Sequence, residues 1–192
     1  MKLFCAVCIF TFIASCQSSD HSPIKRLTLV SDPDEFDIIR DKAKLLNLSK
    51  IKEGVDSFEL RFWTQYSLTD LKFSDGEWNL SKIYFRFSYA NENRDLILDT
   101  MVTKEITPAI EYSKLIDSIN YFNIDKIPSQ DEIPNFIERS YDGMTYTCEV
   151  AKKSYYKKIS YHNPGFYNDS VHQKVNKLFS FFTRNIKEEI YY

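Results

Sequence analysis

The chain has 192 residues, 43% apolar and 27% charged, a balance that excludes a disordered chain and a multi-span membrane protein and fits one compact core. Its 25 basic and 27 acidic side chains give a formal net charge of −2, so there is no basic excess to track a phosphate backbone, and nucleic acid is not an expected partner. Four glycines, Gly54, Gly76, Gly143 and Gly165, stand too far apart for a dinucleotide fingerprint or a phosphate-cradling loop, both of which need clustered glycines.

Lys2 precedes the uncharged run "LFCAVCIFTFI" at 3 to 13, after which come Ala14, Ser15 and Cys16. A helix that spans the hydrocarbon core needs about 20 apolar residues, so this shorter run has the layout of a secretory signal. The stretch Ile13-Ala14-Ser15-Cys16 resembles the lipobox of bacterial lipoproteins. That resemblance covers only the leader; it implies cleavage before Cys16, diacylglycerol on its thiol and acylation of the new amino terminus. Two or three acyl chains, each gaining about 0.8 kcal/mol per buried methylene, would make the anchor effectively permanent. Gln17 after the cysteine implies, by the same resemblance, an outer-membrane destination. The plainer alternative is that Cys16 is an ordinary thiol, able to pair with Cys148. Residues 1–15 are therefore expected to be removed and 16–26, "CQSSDHSPIKR", to form a flexible tether, with one folded domain over 27–192.

In "SDPDEFDIIRDKAKLLNL" a cap candidate at Ser31 or Asp32 stands before Pro33, and Phe36, Ile39, Ala43 and Leu46 recur on one face. That spacing predicts a helix over 33 to 47. The acids Asp32, Asp34, Glu35 and Asp37 suit a helix start, where they meet the macrodipole, better than a metal site. From Ser57 the period changes to two, with Phe58, Leu60 and Phe62 alternating with Glu59, Arg61 and Trp63. A second strand is expected over 69 to 73, a turn at "SDGE" (74 to 77), a strand through Ile83, Phe85, Phe87 and Tyr89, and a further strand over 96 to 104. Thr107-Pro108 and the stripe Tyr112, Leu115, Ile116, Ile119 and Phe122 predict a second helix over 108 to 122. Pro128 and Pro134 make the segment after this helix a loop with at most one helical turn. Two strands, Met144 to Val150 and Tyr155 to Tyr161, are expected next, then a last helix over 169 to 187 carried by Val171, Val175, Leu178, Phe182 and Ile186. The fold class is α+β: an antiparallel sheet of about six strands packed against two or three helices, in the order α-β4-α-β2-α.

Candidate chemistry is sparse. There is no G-x-S-x-G elbow, no paired histidines and no C-x-x-C after Cys16, so neither the commonest serine-hydrolase layout nor a zinc site is supported, and no cofactor is expected. Cys148 falls on the apolar side of its strand and reads as a buried, inert thiol. His162, at a strand end with Glu149 or Asp142 as a possible carboxylate partner, is the one weak catalytic candidate, since such a pair can act as a general base; capping the turn at Asn163-Pro164-Gly165 is its plainer role. His172, one position from core residue Val171, is weaker still. On the polar side of the first strands, Arg61 and Trp63, with Tyr84 and Arg86 from another strand, form a candidate binding surface of the arginine and aromatic mix enriched at interfaces, able to meet a protein, a glycan or a carboxylate. The competing expectation is that a helix covers Trp63 and Tyr84 while the charges pair across strands. Together these features favour a non-enzymatic cell-envelope lipoprotein that binds an envelope protein or glycan. The alternatives are a small envelope hydrolase using His162 and an immunity-type inhibitor.

Overall fold

The computed structural model describes residues 26–27, 38–90, 95–137 and 142–186. Residues 1–15, Cys16, the tether up to Lys25, the cap candidates Ser31 and Asp32 and the acidic cluster at 32 to 37 lie outside the described residues. The chain order is β1 (Arg26–Leu27), α1 (Ile38–Leu45), β2 (Phe58–Trp63), β3 (Ser67–Ser74), β4 (Glu77–Tyr89), β5 (Leu96–Glu105), α2 (Tyr112–Phe122), β6 (Thr145–Lys152), β7 (Tyr155–His162) and α3 (Ser170–Asn185). The protein is thus α+β, with six substantial strands, the two-residue β1 and three helices. The sheet runs β1-β5-β4-β3-β2-β6-β7, and every neighbouring pair is antiparallel. β1, a strand that the sequence reading does not contain, pairs Arg26 with Ile97 and Leu27 with Leu96.

Local chemistry explains the turns. Asp75 and Gly76 both have positive φ, 54° and 84°, the combination a two-residue type I′ hairpin demands and Asp-Gly supplies. This tight turn fixes Ser74 opposite Glu77, and with it the β3–β4 register. After β5 the chain must cross from one side of the sheet to the other, and the segment containing α2 carries it there, so that β6 pairs with β2. The start of α2 differs from the sequence reading. Thr107-Pro108 does not open it: Ile106 still donates its N–H to the Leu80 carbonyl and Ala109 to the Asn185 carbonyl, so the backbone is held to the sheet and to α3 until Glu111. The loop after α2 contains two short 3₁₀ turns, Ile124–Lys126 and Gln130–Glu132. In the second, Ser129 and Glu132 cap each other reciprocally. α3 begins at Asp169, whose carboxylate accepts from the Val171 and His172 amides.

The two faces of the sheet bury different chemistry. One face packs on α2 and α3 through Leu60, Phe62, Leu71, Leu80, Cys148, Val150 and Ile159, against Leu115, Ile119, Val175, Leu178, Phe179 and Phe182. Phe62 stacks on Phe182 and meets Phe179 with centroids 5.2 and 5.3 Å away. The other face carries a smaller cluster, Trp63, Leu68, Ile83 and Phe85 with Leu46, against which Ile39 and Ala43 of α1 pack. No helix among the described residues is long and apolar enough to cross a membrane.

Candidate functional site

Alternation of side chains along each strand, combined with the register, sorts the α1 face into rows. One row reads Asp70, Arg61, Glu149 and Lys158 across β3, β2, β6 and β7. Its signs alternate, and on one side of it lies Lys72, Glu59, Ala151 and Tyr156, on the other Leu68, Trp63, Thr147 and Ser160. The Arg61 guanidinium forms an ion pair with Glu59 at 2.6 Å and donates to the carbonyl and hydroxyl of Ser49 at 2.8 and 3.0 Å. Lys72 reaches Glu59 at 3.1 Å and Asp70 at 3.8 Å. The Glu149 carboxylate accepts from the Trp63 indole at 2.7 Å and from the Tyr156 hydroxyl at 2.6 Å. Glu59 and Arg61 are each 2% exposed, so these charges were taken from water and persist because they are paired.

Asp70 is the strained member. Burial, and next the negative charge of Glu59, push its carboxyl up to about 6, against the opposing pull of Lys72 and Arg61. A buried carboxyl pair is a general acid–base motif in form. Here the cluster is closed: the Glu59 side chain is 3% exposed, and Ser49, from the segment after α1, sits on the guanidinium.

This geometry corrects the expected binding surface. Lys82 stands opposite Thr69, and Tyr84 opposite Ser67, which places both on the Phe62 side of the sheet, away from Arg61 and Trp63. Arg86 shares their parity, ahead of a bulge between Arg86 and Phe87. Arg61 and Trp63 are themselves buried, at 2% and 1% exposed, so neither is a surface anchor. The physical reason is the hairpin: the turn at Asp75-Gly76 makes Asp70 and Ser81 partners, so the polar residues beside Arg61 come from β3 and β6 rather than from β4.

His162 is likewise placed in a structural setting. Its Nδ1 lies 3.1 Å from the Thr145 hydroxyl and its Nε2 3.1 Å from the Asn163 amide nitrogen. Asn163 has a fixed orientation, because its Oδ1 accepts from the Met144 amide and its Nδ2 donates to the Asp142 carbonyl. Nε2 must therefore accept, and Nδ1 carries the proton and donates to Thr145. A ring in this tautomer does not deprotonate the Thr145 hydroxyl. Glu149 is four residues further along β6 and bound elsewhere, so it is not the expected carboxylate partner. Gly143 is required by this arrangement: at φ +140°, any Cβ there would overlap the Asn163 side chain. His172 is buried, with Nδ1 2.6 Å from Asp169 and Tyr161, Tyr167 and Phe136 around its ring. Cys148 is fully buried, and burial, with Glu149 adjacent, drives its thiol pKa well up, away from the reactive thiolate. Among the described residues no group of three or more His, Cys, Asp or Glu is placed to hold a metal ion.

A concavity lined by described residues of mixed chemistry lies on the α1 face, between α1 and the β6–β7 hairpin. It encloses about 440 Å³, within the roughly 300–1,000 Å³ range of small-ligand sites. Trp63, Thr147 and Ser160 form its floor, Ile38, Ile39 and Lys42 of α1 one wall, and Thr64, Gln65, Gly143, Thr145 and Lys158 its rim. Thr147 and Ser160 hydrogen-bond to each other at 3.0 Å. A wider depression beside Phe166 and Asn176 has Asp142 as its one charged lining residue. The polar alternation of Thr145, Thr147 and Glu149 was visible in the sequence; Lys42 and Ser160, reaching the cleft from α1 and β7, were not singled out by any local pattern. No family model, no curated protein and no solved structure matches this chain.

Proposed function

We propose that this chain is a bacterial cell-envelope lipoprotein, cut before Cys16 and held by acyl chains on that residue, whose α+β domain is a non-enzymatic binding module with its ligand site in the cleft between α1 and the β6–β7 hairpin. The anchor is supported by the uncharged run at 3 to 13 and its ending in Ile13-Ala14-Ser15-Cys16, and Gln17 favours the outer membrane. The observation that carries the binding role is the convergence of Trp63, Lys42 and the paired Thr147 and Ser160 hydroxyls on one cleft of ligand size. Such a mixture of apolar floor and few convergent polar groups is how small-molecule sites orient a ligand. The hydrolase alternative draws nothing from His162, whose two ring nitrogens are already engaged.

Growth of the native host in labelled palmitate tests the anchor: label on the wild type and none on Cys16→Ser supports it, whereas an unlabelled wild type or a labelled variant refutes it. For the module, amide chemical shifts followed during titration with peptide and glycan fractions of the host envelope should move together at Thr145, Thr147 and Ser160. Shifts scattered over the surface, or none, would overturn the cleft as the binding site.

A further inference from the structure

We propose that the cleft takes a small organic anion, a carboxylate or sulfonate on an apolar body, with Lys42 as its counter-ion and the Thr147 and Ser160 hydroxyls as hydrogen-bond donors. The inference rests on the cleft being the binding site proposed above. Three neighbouring cations of α1 behave differently. Arg40 and Lys44 both approach Asp41, at 3.5 and 3.9 Å, while Lys42 lines the cleft and has no carboxylate partner among the described residues. Its ammonium instead lies over the faces of Phe85 and Phe87, 5.6 and 5.7 Å from their centroids.

Burial lowers the Lys42 pKa. A partly desolvated ammonium of this kind is stabilised by any anion that enters, and it is screened by salt less than an exposed one. The hydroxyl pair adds direction. When one of Thr147 and Ser160 donates to the other, the second keeps a proton free for a ligand oxygen. Ile38 and Ile39, both half-buried, supply the surface for an apolar body. A bare inorganic anion would leave that surface uncovered, which is why the expected ligand is amphipathic.

Two dyes with nearly the same aromatic skeleton separate the charge from the cavity: 8-anilinonaphthalene-1-sulfonate, which is anionic, and N-phenyl-1-naphthylamine, which is not. They are titrated by fluorescence into the chain from residue 16 onward carrying Cys16→Ser, so that no acyl chain competes. The sulfonate should bind at least about tenfold more tightly than the neutral dye, the scale of one charge-assisted contact. Lys42→Gln should remove that preference while leaving the neutral dye's affinity within about twofold. Lys42→Arg, which keeps the charge and controls for folding, should retain the preference. Thr145→Trp, at the exposed rim, should weaken both dyes.

Equal binding of the two dyes would overturn the anion assignment, and a preference that survives Lys42→Gln would overturn Lys42 as the counter-ion, while either result leaves the cleft as a site. No binding of either dye, or binding that Thr145→Trp leaves unchanged, would overturn the cleft itself and the inference with it.

Discussion

The two faces of this sheet are made from the same strands, often from successive residues, and are held together by different forces. Under α2 and α3 lie Leu60, Leu71, Val150, Leu178 and Phe182, an apolar interior stabilised by area removed from water. One residue along on β2, Arg61 and Glu59 lie in an ion cluster with Asp70 and Lys72. The first kind of interior tolerates exchange of one hydrocarbon for another of similar volume. The second does not tolerate loss of either partner of the buried Arg61–Glu59 pair, because a buried charge without its partner costs far more than the intact pair contributes. The ion cluster thus adds little net stability but fixes the β2, β3 and β6 neighbours, since a slip by one residue would bury these charges against α3.

The largest test of that contrast is Arg61→Ala, which leaves Glu59 without its guanidinium partner; it should cost about 4 kcal/mol by urea unfolding. A loss below about 1 kcal/mol would mean that the cluster is wet and behaves like a surface network. On the opposite face Leu178→Ala should cost about 3 kcal/mol through a cavity against Phe62 and its neighbours, whereas Leu178→Met should cost under about 1.5 kcal/mol.

Asp70→Asn should act with the opposite sign, through an effect that builds up between about pH 4 and 6 and persists above. Between the ordinary carboxyl value of 3.8 and the folded value of about 6, the folded protein holds a proton that the unfolded chain has released. Stability therefore falls as pH rises through that window and stays lower above it. Asn cannot titrate, so the stabilities of the two proteins should coincide near pH 4, diverge between pH 4 and 6 and stay apart above it, the variant being more stable at pH 7.5 by about 1–3 kcal/mol. Parallel curves at every pH would place the titration elsewhere. The smallest effect is expected for Lys72→Ala: its ammonium is over a third exposed, so removal should cost only about 0.5–1 kcal/mol, and salt should erase some of it.

Much of the local structure is legible in the sequence because it depends on short-range rules. Period two in "FELRFW" and "TYTCEV" marks β2 and β6, Asp75-Gly76 marks the hairpin, and the stripe Val175, Leu178 and Phe182 marks α3. The start of α2 is not legible, because Thr107-Pro108 has the chemistry of a helix cap, yet hydrogen bonds from Ile106 and Ala109 to distant carbonyls hold that segment to the sheet and to α3. The grouping of Arg61 and Trp63 with Tyr84 and Arg86 fails for a related reason. Each strand's polar side is correct for that strand alone, but which polar sides coincide depends on register and strand order. The hairpin turn carries the missing information: pairing 74 with 77 places Tyr84 opposite Ser67 and Lys82 opposite Thr69.

By itself the sequence determined the alternation of each strand, the amphipathic stripes of the helices and the buried position of Cys148. These are properties of neighbours along the chain, set by side-chain direction and partition between water and core. The tertiary structure alone decided that Asp70, Arg61, Glu149 and Lys158 form one row, that the Asn163 amide sets the tautomer of His162, and that Lys42 of α1 meets Thr147 and Ser160 in a cleft. Those arrangements join residues up to a hundred or more positions apart, and their energies depend on distance and burial, which exist only once the sheet has closed on its helices.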